Sequence, residues 1–372
     1  MRIRLLRDPV TERIWESRLE GNRVTIRSGK SGREKESGKV FDGEEAALKY
    51  VCKEEWSRLK KGFVLSMPDA RDGQPRMLRF IGSAYTGAMI ARNLDGNLLC
   101  NRFVDERETL FVIGDAAAVR ETVTLPWTNT LVWEACVLPD RRLLLEADHR
   151  VEEYVIKTGK FSTIAPTNRT PAGFVAYGGG RAAWFAEPDL VVKDMESGRK
   201  VFSHSVTCDL YGGHSSQMCG TLSPDGRLLA CCAKSGEIML FDVDDGRMVS
   251  LITGDFAMIA KMVFDGSGRH LLALERYGRW RLLCFDANTG LAREGWAEMT
   301  DMDNADTAFD YASRRLAVSR RGGRIEIFDF ETMQSLCAFV ADHVIKRCAI
   351  DFVGPFLGLQ TDCGCVGLYA VE

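Results

Sequence analysis

No stretch of this 372-residue chain approaches the roughly 18 consecutive apolar residues of a membrane-spanning helix. Its start, MRIRLLRDPVTERIW, carries charge but no apolar core of a secretory leader. The expectation is a cytoplasmic chain with no membrane partner. Disulfide spacing is missing too. The twelve cysteines sit inside apolar runs such as LLACCA and RLLCFD, the setting of buried, reduced thiols rather than of a secreted framework. Histidine is scarce, with five in the chain, and there is no Gly-x-Ser-x-Gly. No hydrolase triad can therefore be assembled from the sequence. Nor does one charge dominate: 49 Lys and Arg against 52 Asp and Glu leave −3.

What is present is ordinary globular material, 45% apolar, 27% charged and 9% aromatic, long enough for two or three domains. The charge is uneven. Residues 1–65 hold 16 basic and 11 acidic residues, a balance of +5, and the remainder carries −8. That asymmetry suggests different partners for the two parts.

In the first part, Trp15 and Leu19 flank a strand, Glu20-Gly21-Asn22 marks a hairpin, and Val24 and Ile26 alternate with polar residues. The stretch RSGKSGREKESGKVF (27–41) reads as a Gly-rich basic loop. Asp42 and Glu45 form a capping-box pattern ahead of a helix carrying Leu48, Cys52, Trp56, Leu59 and Phe63 at helical spacing. Gly29-Lys30-Ser31 is no P-loop, because Val24 stands where the first Gly belongs and no helix follows.

The LEGN turn, VTIR strand, Gly-rich loop, acidic start of an Ala-rich helix and closing KKGF together resemble a WGR domain over about residues 1–65. Where that family has Trp-Gly-Arg, this chain has Ser28-Gly29-Lys30. The resemblance implies a Trp that stacks on nucleic-acid ends, as in the DNA-dependent poly(ADP-ribose) polymerases. A Ser cannot supply that stacking, worth about 1–3 kcal/mol per base. Arg23, Arg27, Lys30, Arg33, Lys35 and Lys39 remain for nucleic-acid or partner contact, diluted by Glu34 and Glu36. Nucleic-acid binding is expected to be weak.

From about residue 75 the chain repeats. LSPDGRLLACCAKSGEIMLFDVDDGRMV (222–249), FDGSGRHLLALERYGRWRLLCFDANTGLA (264–292) and FDYASRRLAVSRRGGRIEIFDFETMQSL (309–336) share one strand-and-turn pattern. Anchors at Val155, Asp194, Asp242, Asp286, Asp329 and Ala370 recur every 40–48 residues or so. Gly213-His214 and Phe241-Asp242 make 222–249 the copy nearest a WD repeat. The expected fold is mostly β: a small α+β WGR-like domain (1–66), a linker (67–76) and a WD-repeat-like, seven-bladed β-propeller (77–372). A strand near 77–85 would close the ring against the final GLYAVE, removing the open edge.

Three motifs were weighed for metal. Asp301, Asp303 and Asp306 lack the Gly and bidentate Glu of a calcium loop. His204, Cys208, His214 and Cys219 match no compact zinc spacing, and Cys363-Gly364-Cys365 reads as core strand. No metal, cofactor or catalytic residue is expected.

One surface rises above background. The turns between second and third strands of two adjacent repeats bring Arg276, Tyr277 and Arg279 beside Arg320, Arg321 and Arg324, the residue types that anchor protein interfaces. The inner strands, for example LVWEACVL and KMVFD, read as mostly apolar. The expectation is a non-catalytic adaptor with a protein partner. The alternatives are nucleic-acid sensing through the first domain and a propeller enzyme with an unrecognised site. The oligomeric state and the partner are not read from sequence.

Overall fold

The computed structural model describes residues 2–30, 32–85, 87–166, 173–186, 188–208, 218–296 and 298–371. Strand after strand in the repeat region buries apolar residues on both faces, as in Leu228–Lys234 and Phe356–Thr361. Such strands are stable only when sheets stack against one another. They form a ring of small antiparallel sheets with a WD-repeat-like propeller arrangement. Among the described residues there are six separate sheets, spanning 91–124, 132–166, 175–205, 219–253, 258–286 and 306–340.

The anchor residues of the repeat explain its period. Asp194 accepts hydrogen bonds from the Ser197 N–H (2.7 Å) and hydroxyl (2.6 Å). Asp242 accepts from the N–H groups of Asp244 (2.9 Å) and Asp245 (3.3 Å), and Asp286 from those of Asn288 (3.0 Å) and Thr289 (3.1 Å). Asp329 accepts from Thr332 at 2.7 Å. Each carboxylate organises the turn from third to fourth strand by taking N–H groups that no ladder would satisfy. The sheet spanning 258–286 has three strands. Its outer edge is covered instead by 291–296 and 298–305, tied by the Leu282–Met299 and Phe285–Ala292 bridges and packed with Trp296, Met299 and Met302.

The N-terminal region comprises β1 (Arg2–Arg7), β2 (Arg13–Glu20), β3 (Arg23–Lys30), β4 (Arg33–Val40), α1 (Glu44–Leu59), β5 (Val64–Ser66) and β6 (Pro75–Phe80). β6 pairs with Cys365–Ala370 on one side and with β5 on the other, and β5 pairs with β1. A single nine-stranded sheet results, running from Cys348–Val353 to β4. This corrects two expectations. The last three strands do not close a seventh separate sheet, because β6 carries the hydrogen-bond ladder onward. The N-terminal strands are accordingly not set off as a distinct WGR-like domain. The strand against the chain's last one is 75–80, not 77–85.

The quoted basic segment is not a loop. Alternation continues through it, so β3 and β4 form a hairpin in register from Arg23↔Val40 to Lys30↔Arg33. Gly29, at φ +153°, lets the two backbones approach, since a Cβ there would stand 2.7 Å from the Arg33 carbonyl oxygen. β4 ends the sheet as an exposed strand of alternating charge, a sequence that discourages edge-to-edge pairing.

The helix differs in detail from its expected form. Gly43 is the N-cap, in extended conformation and without a side-chain cap; Asp42 lies outside. The buried stripe is Ala47, Val51, Glu55 and Leu59, one residue out of phase with the expected one, and Leu48 is exposed. A purely apolar criterion passes over Glu55, which is fully buried.

Candidate functional site

The first strands of the six sheets, together with Cys348–Val353 of the nine-stranded sheet, wall a central channel of about 330 Å³. Its lining is not apolar, contrary to the sequence reading. Arg92 pairs with Glu134 and donates to the Ala135 carbonyl (3.1 Å). Lys261 pairs with Asp306 at 2.8 Å. Asp351 accepts from the Asn93 and Phe352 N–H groups at 2.9 Å each. Burial raises the Asp351 carboxyl above its ordinary range. Burial acts the same way on Asp306, but the Lys261 ammonium outweighs it and holds that carboxyl below the usual value. The missed signal was one charge inside each apolar strand, Glu134 in LVWEACVL and Lys261 in KMVFD. Cys136, also on the channel wall, has its thiol pushed up to about 12 by burial, which leaves it inert as a nucleophile.

On the face carrying the turns after each second strand, the structure tests the arginine cluster. Arg279 pairs with Asp255 (2.8 Å) and Arg321 with Asp303 (3.4 Å). Tyr277 is 61% exposed, edge-on to Trp280 at 5.7 Å. The 320–324 turn packs on the 341–347 connection, and Arg276 of the other turn neighbours Arg347. Gly322 N–H donates to the Lys346 carbonyl (2.9 Å), and Ser319 Oγ lies 3.4 Å from the Cys348 carbonyl. Arg347, missed from sequence because it sits in an unremarkable VIKRC run, joins them there. Burial and the neighbouring Arg276 guanidinium lower its pKa. Among the described residues Arg276, Arg320, Arg324 and Arg347 form no ion pair, and Arg320 Nε is buried without an acceptor.

The N-terminal cations divide four to two between the faces of the hairpin. The β-ladder puts Arg23 and Arg27 on one face of the hairpin and Lys30, Arg33, Lys35 and Lys39 on the other. Arg27 is held by Glu16 at 2.8 Å. Lys39 lies over the rings of Phe41 (4.8 Å) and Tyr50 (5.0 Å).

A buried charge cluster, invisible in sequence, joins this region to the ring. Asp342 accepts from Arg2 (2.9 Å), Arg4 (3.0 Å) and the Tyr369 hydroxyl (3.1 Å). Glu55 lies 3.6 Å from Arg2 and 3.9 Å from Arg4, and meets His343 at 2.9 Å. Despite burial, which would raise it, Asp342 is held below the usual carboxylate range by Arg4 and Arg2.

The sequence motifs weighed for metal are dispersed. Asp303 and Asp306 are engaged by Arg321 and Lys261 in separate places. Cys208 and Cys219 are buried, His204 lies on a strand, and Gly213 and His214 fall outside the described residues. Among the described residues no group of three His, Cys, Asp or Glu is arranged to hold a metal ion. No helix there is long and apolar enough to cross a membrane.

No family model matches the chain, and no curated protein matches it. Solved structures do. A chain of the mitotic checkpoint complex superposes with a TM-score of 0.64 at 11% identity, over 81% of this chain and 96% of that one. The Cps50 (Swd1) β-propeller domain of Myceliophteria thermophila gives 0.56 at 13% identity, over 79% and 98%. The computationally designed Ika8 protein gives 0.50 at 13% identity, over 78% and 99%. At such identities the likeness establishes a WD-repeat-like β-propeller fold, and a fold of this kind names no activity.

Proposed function

We propose that this protein is a non-catalytic interaction platform that docks an acidic segment of a partner protein on the arginine-bearing face of its propeller, with residues 1–66 as an accessory docking unit and 67–76 as its connection. The observation that carries this reading is the convergence of unpaired Arg276, Arg320 and Arg347 beside exposed Tyr277 and Ile345. Unpaired arginines next to aromatic surface are what an acidic, partly apolar segment would recognise. The similar chain within the mitotic checkpoint complex is by that name part of an assembly, which supports a platform role by analogy.

Two further observations weigh against the alternatives. Two pairs of channel charges are engaged with one another, Asp351 is held by backbone N–H groups, and burial raises both channel thiols, Cys136 and Cys219, which disfavours an enzyme. Four of the six hairpin cations share one face, but Ser28 among them offers no ring for a base to stack on, which disfavours a nucleic-acid end site there.

The test is affinity capture from the native host after nuclease treatment. It would compare wild type, the triple variant Arg276→Glu, Arg320→Glu, Arg347→Glu, and a control reversing Arg199 and Arg247, which lie in third-to-fourth-strand turns on the opposite face. The proposal expects a stoichiometric partner that the control retains and the triple variant loses. Equal capture by all three would overturn it.

A further inference from the structure

A cavity of about 470 Å³ opens at the seam between β1 and the ring. Three arginines, Arg2, Arg4 and Arg71, line it, and Asp342 is the one carboxylate on its wall among the described residues. That carboxylate is fully engaged. Its Oδ1 takes Arg2 at 2.9 Å, and its Oδ2 takes Arg4 at 3.0 Å and Tyr369 at 3.1 Å. Behind the wall, Glu55 offers the same guanidinium groups only distant contacts of 3.6 and 3.9 Å. After these contacts Arg2 Nε and Arg4 Nη1 are buried with no acceptor. The Arg4 side chain is 9% exposed and those two atoms have no access to the cavity, whereas the Arg2 side chain is 24% exposed. The cluster is short of acceptors, and Arg2 and Arg71 are the cations that a ligand in the cavity can reach. At the rim Arg71 is exposed and its backbone is held in a turn by the Gln74 side chain at 3.1 Å. Met67 and Val340 give the cavity an apolar flank.

We propose that this cavity binds a small organic anion, its phosphate or carboxylate group held by Arg2 and Arg71, with Arg4 behind them adding its charge, and its apolar body lying along Met67 and Val340. Planar guanidinium forks suit both anionic groups. The volume lies in the range of small-molecule sites. The ligand would bridge β1 to the 67–76 connection, so occupancy stabilises the seam. The inference is independent of the partner surface on the propeller face.

Thermal unfolding of the full chain, titrated with inorganic phosphate or with citrate at constant ionic strength in chloride, tests it. The proposal expects a saturable rise in Tm with at least one probe, phosphate marking a phosphate site and citrate a carboxylate site. Arg71→Ala, which breaks no ion pair of the fold, should leave the anion-free Tm unchanged and raise the half-saturating concentration about tenfold, the loss of one charge-assisted contact. Arg2→Lys, keeping charge but not the fork, should also weaken the response. A response that is absent, unsaturable, or identical in wild type and Arg71→Ala overturns the proposal, because anions excluded from the surface stabilise any protein in that manner.

Discussion

Glu55 and His343 lie 288 positions apart and meet at 2.9 Å, the His343 Nε2–H donating to Glu55 Oε1 while its ring stacks on Trp56 at 5.0 Å. This contact seats α1 on the connection that precedes the last repeat. It lies beside two arginines that also require Glu55. Replacing Glu55 with Ala leaves three partners competing for Asp342, and removing one member of a buried ionic cluster costs about 3–5 kcal/mol. Urea unfolding is expected to show a loss of that order for Glu55→Ala and a smaller one for Glu55→Gln. Unchanged stability in both would remove the cluster from the account of how the N-terminal strands are held.

Glu108 supplies a pH dependence. It is fully buried, accepts from Asn101 at 2.8 Å, and burial pushes its pKa up to about 8. The unfolded chain releases that proton near pH 4.3. Between about pH 5 and pH 8 the folded form therefore binds the extra proton, and stability falls as pH rises. Glu108→Gln, neutral throughout, should flatten this decline and leave the variant relatively more stable at pH 8 than at pH 5. Parallel profiles for the two proteins would contradict the assignment.

The turn aspartates act in the opposite sense. Hydrogen bonds from Ser197 and from Thr332 depress Asp194 and Asp329, and those to Asp286 outweigh its partial burial. Their contribution is present above the unfolded value of about 3.9 and is lost as pH falls through the lower folded values. The triple variant Asp194→Asn, Asp286→Asn, Asp329→Asn should be less stable at pH 7 and lose less further stability on acidification from about pH 5 to pH 3. Thermal scans across that range check both signs.

Gly364 fixes the closure of the last sheet. It has φ +85°, and a Cβ on it would run into the Gly82 carbonyl group just beyond β6 and stand 2.6 Å from Ser83 N. Gly354 also has positive φ, +57°, but open space around it. Gly364→Ala should cost about 1–3 kcal/mol and Gly354→Ala less, a difference readable from unfolding midpoints. Equal costs would mean the close approach at Gly364 is not a constraint.

The parts legible in sequence were those set by local chemistry. The Asp turn recurs because a carboxylate four residues before a Gly organises the same turn each time, as at Asp194–Gly198 and Asp242–Gly246. The parts that were not legible depend on distant partners. Nothing near Glu55 in sequence reveals that it will face Arg2, Arg4 and His343. Nothing in KMVFD reveals that Lys261 will find Asp306 on the neighbouring sheet. The 27–41 segment reads as a loop because Gly, Ser and charged residues fill it almost entirely. Cross-strand pairing with β2 and the close approach at Gly29 made it a hairpin instead. The role of Arg347 is not legible because the arginines beside it, Arg276 and Arg320, arrive from two other sheets.

The partner surface is most directly tested by photocrosslinking in the native host. A photoactivatable phenylalanine analogue would replace Tyr277, on the arginine-bearing face, and separately Tyr311, which is 53% exposed in a turn at the opposite end of its sheet. The account predicts one discrete, nuclease-resistant protein adduct from position 277, absent from position 311 and lost when Arg276, Arg320 and Arg347 are reversed to Glu. An adduct from 311 but not 277, or one from 277 that survives the reversals, would contradict it.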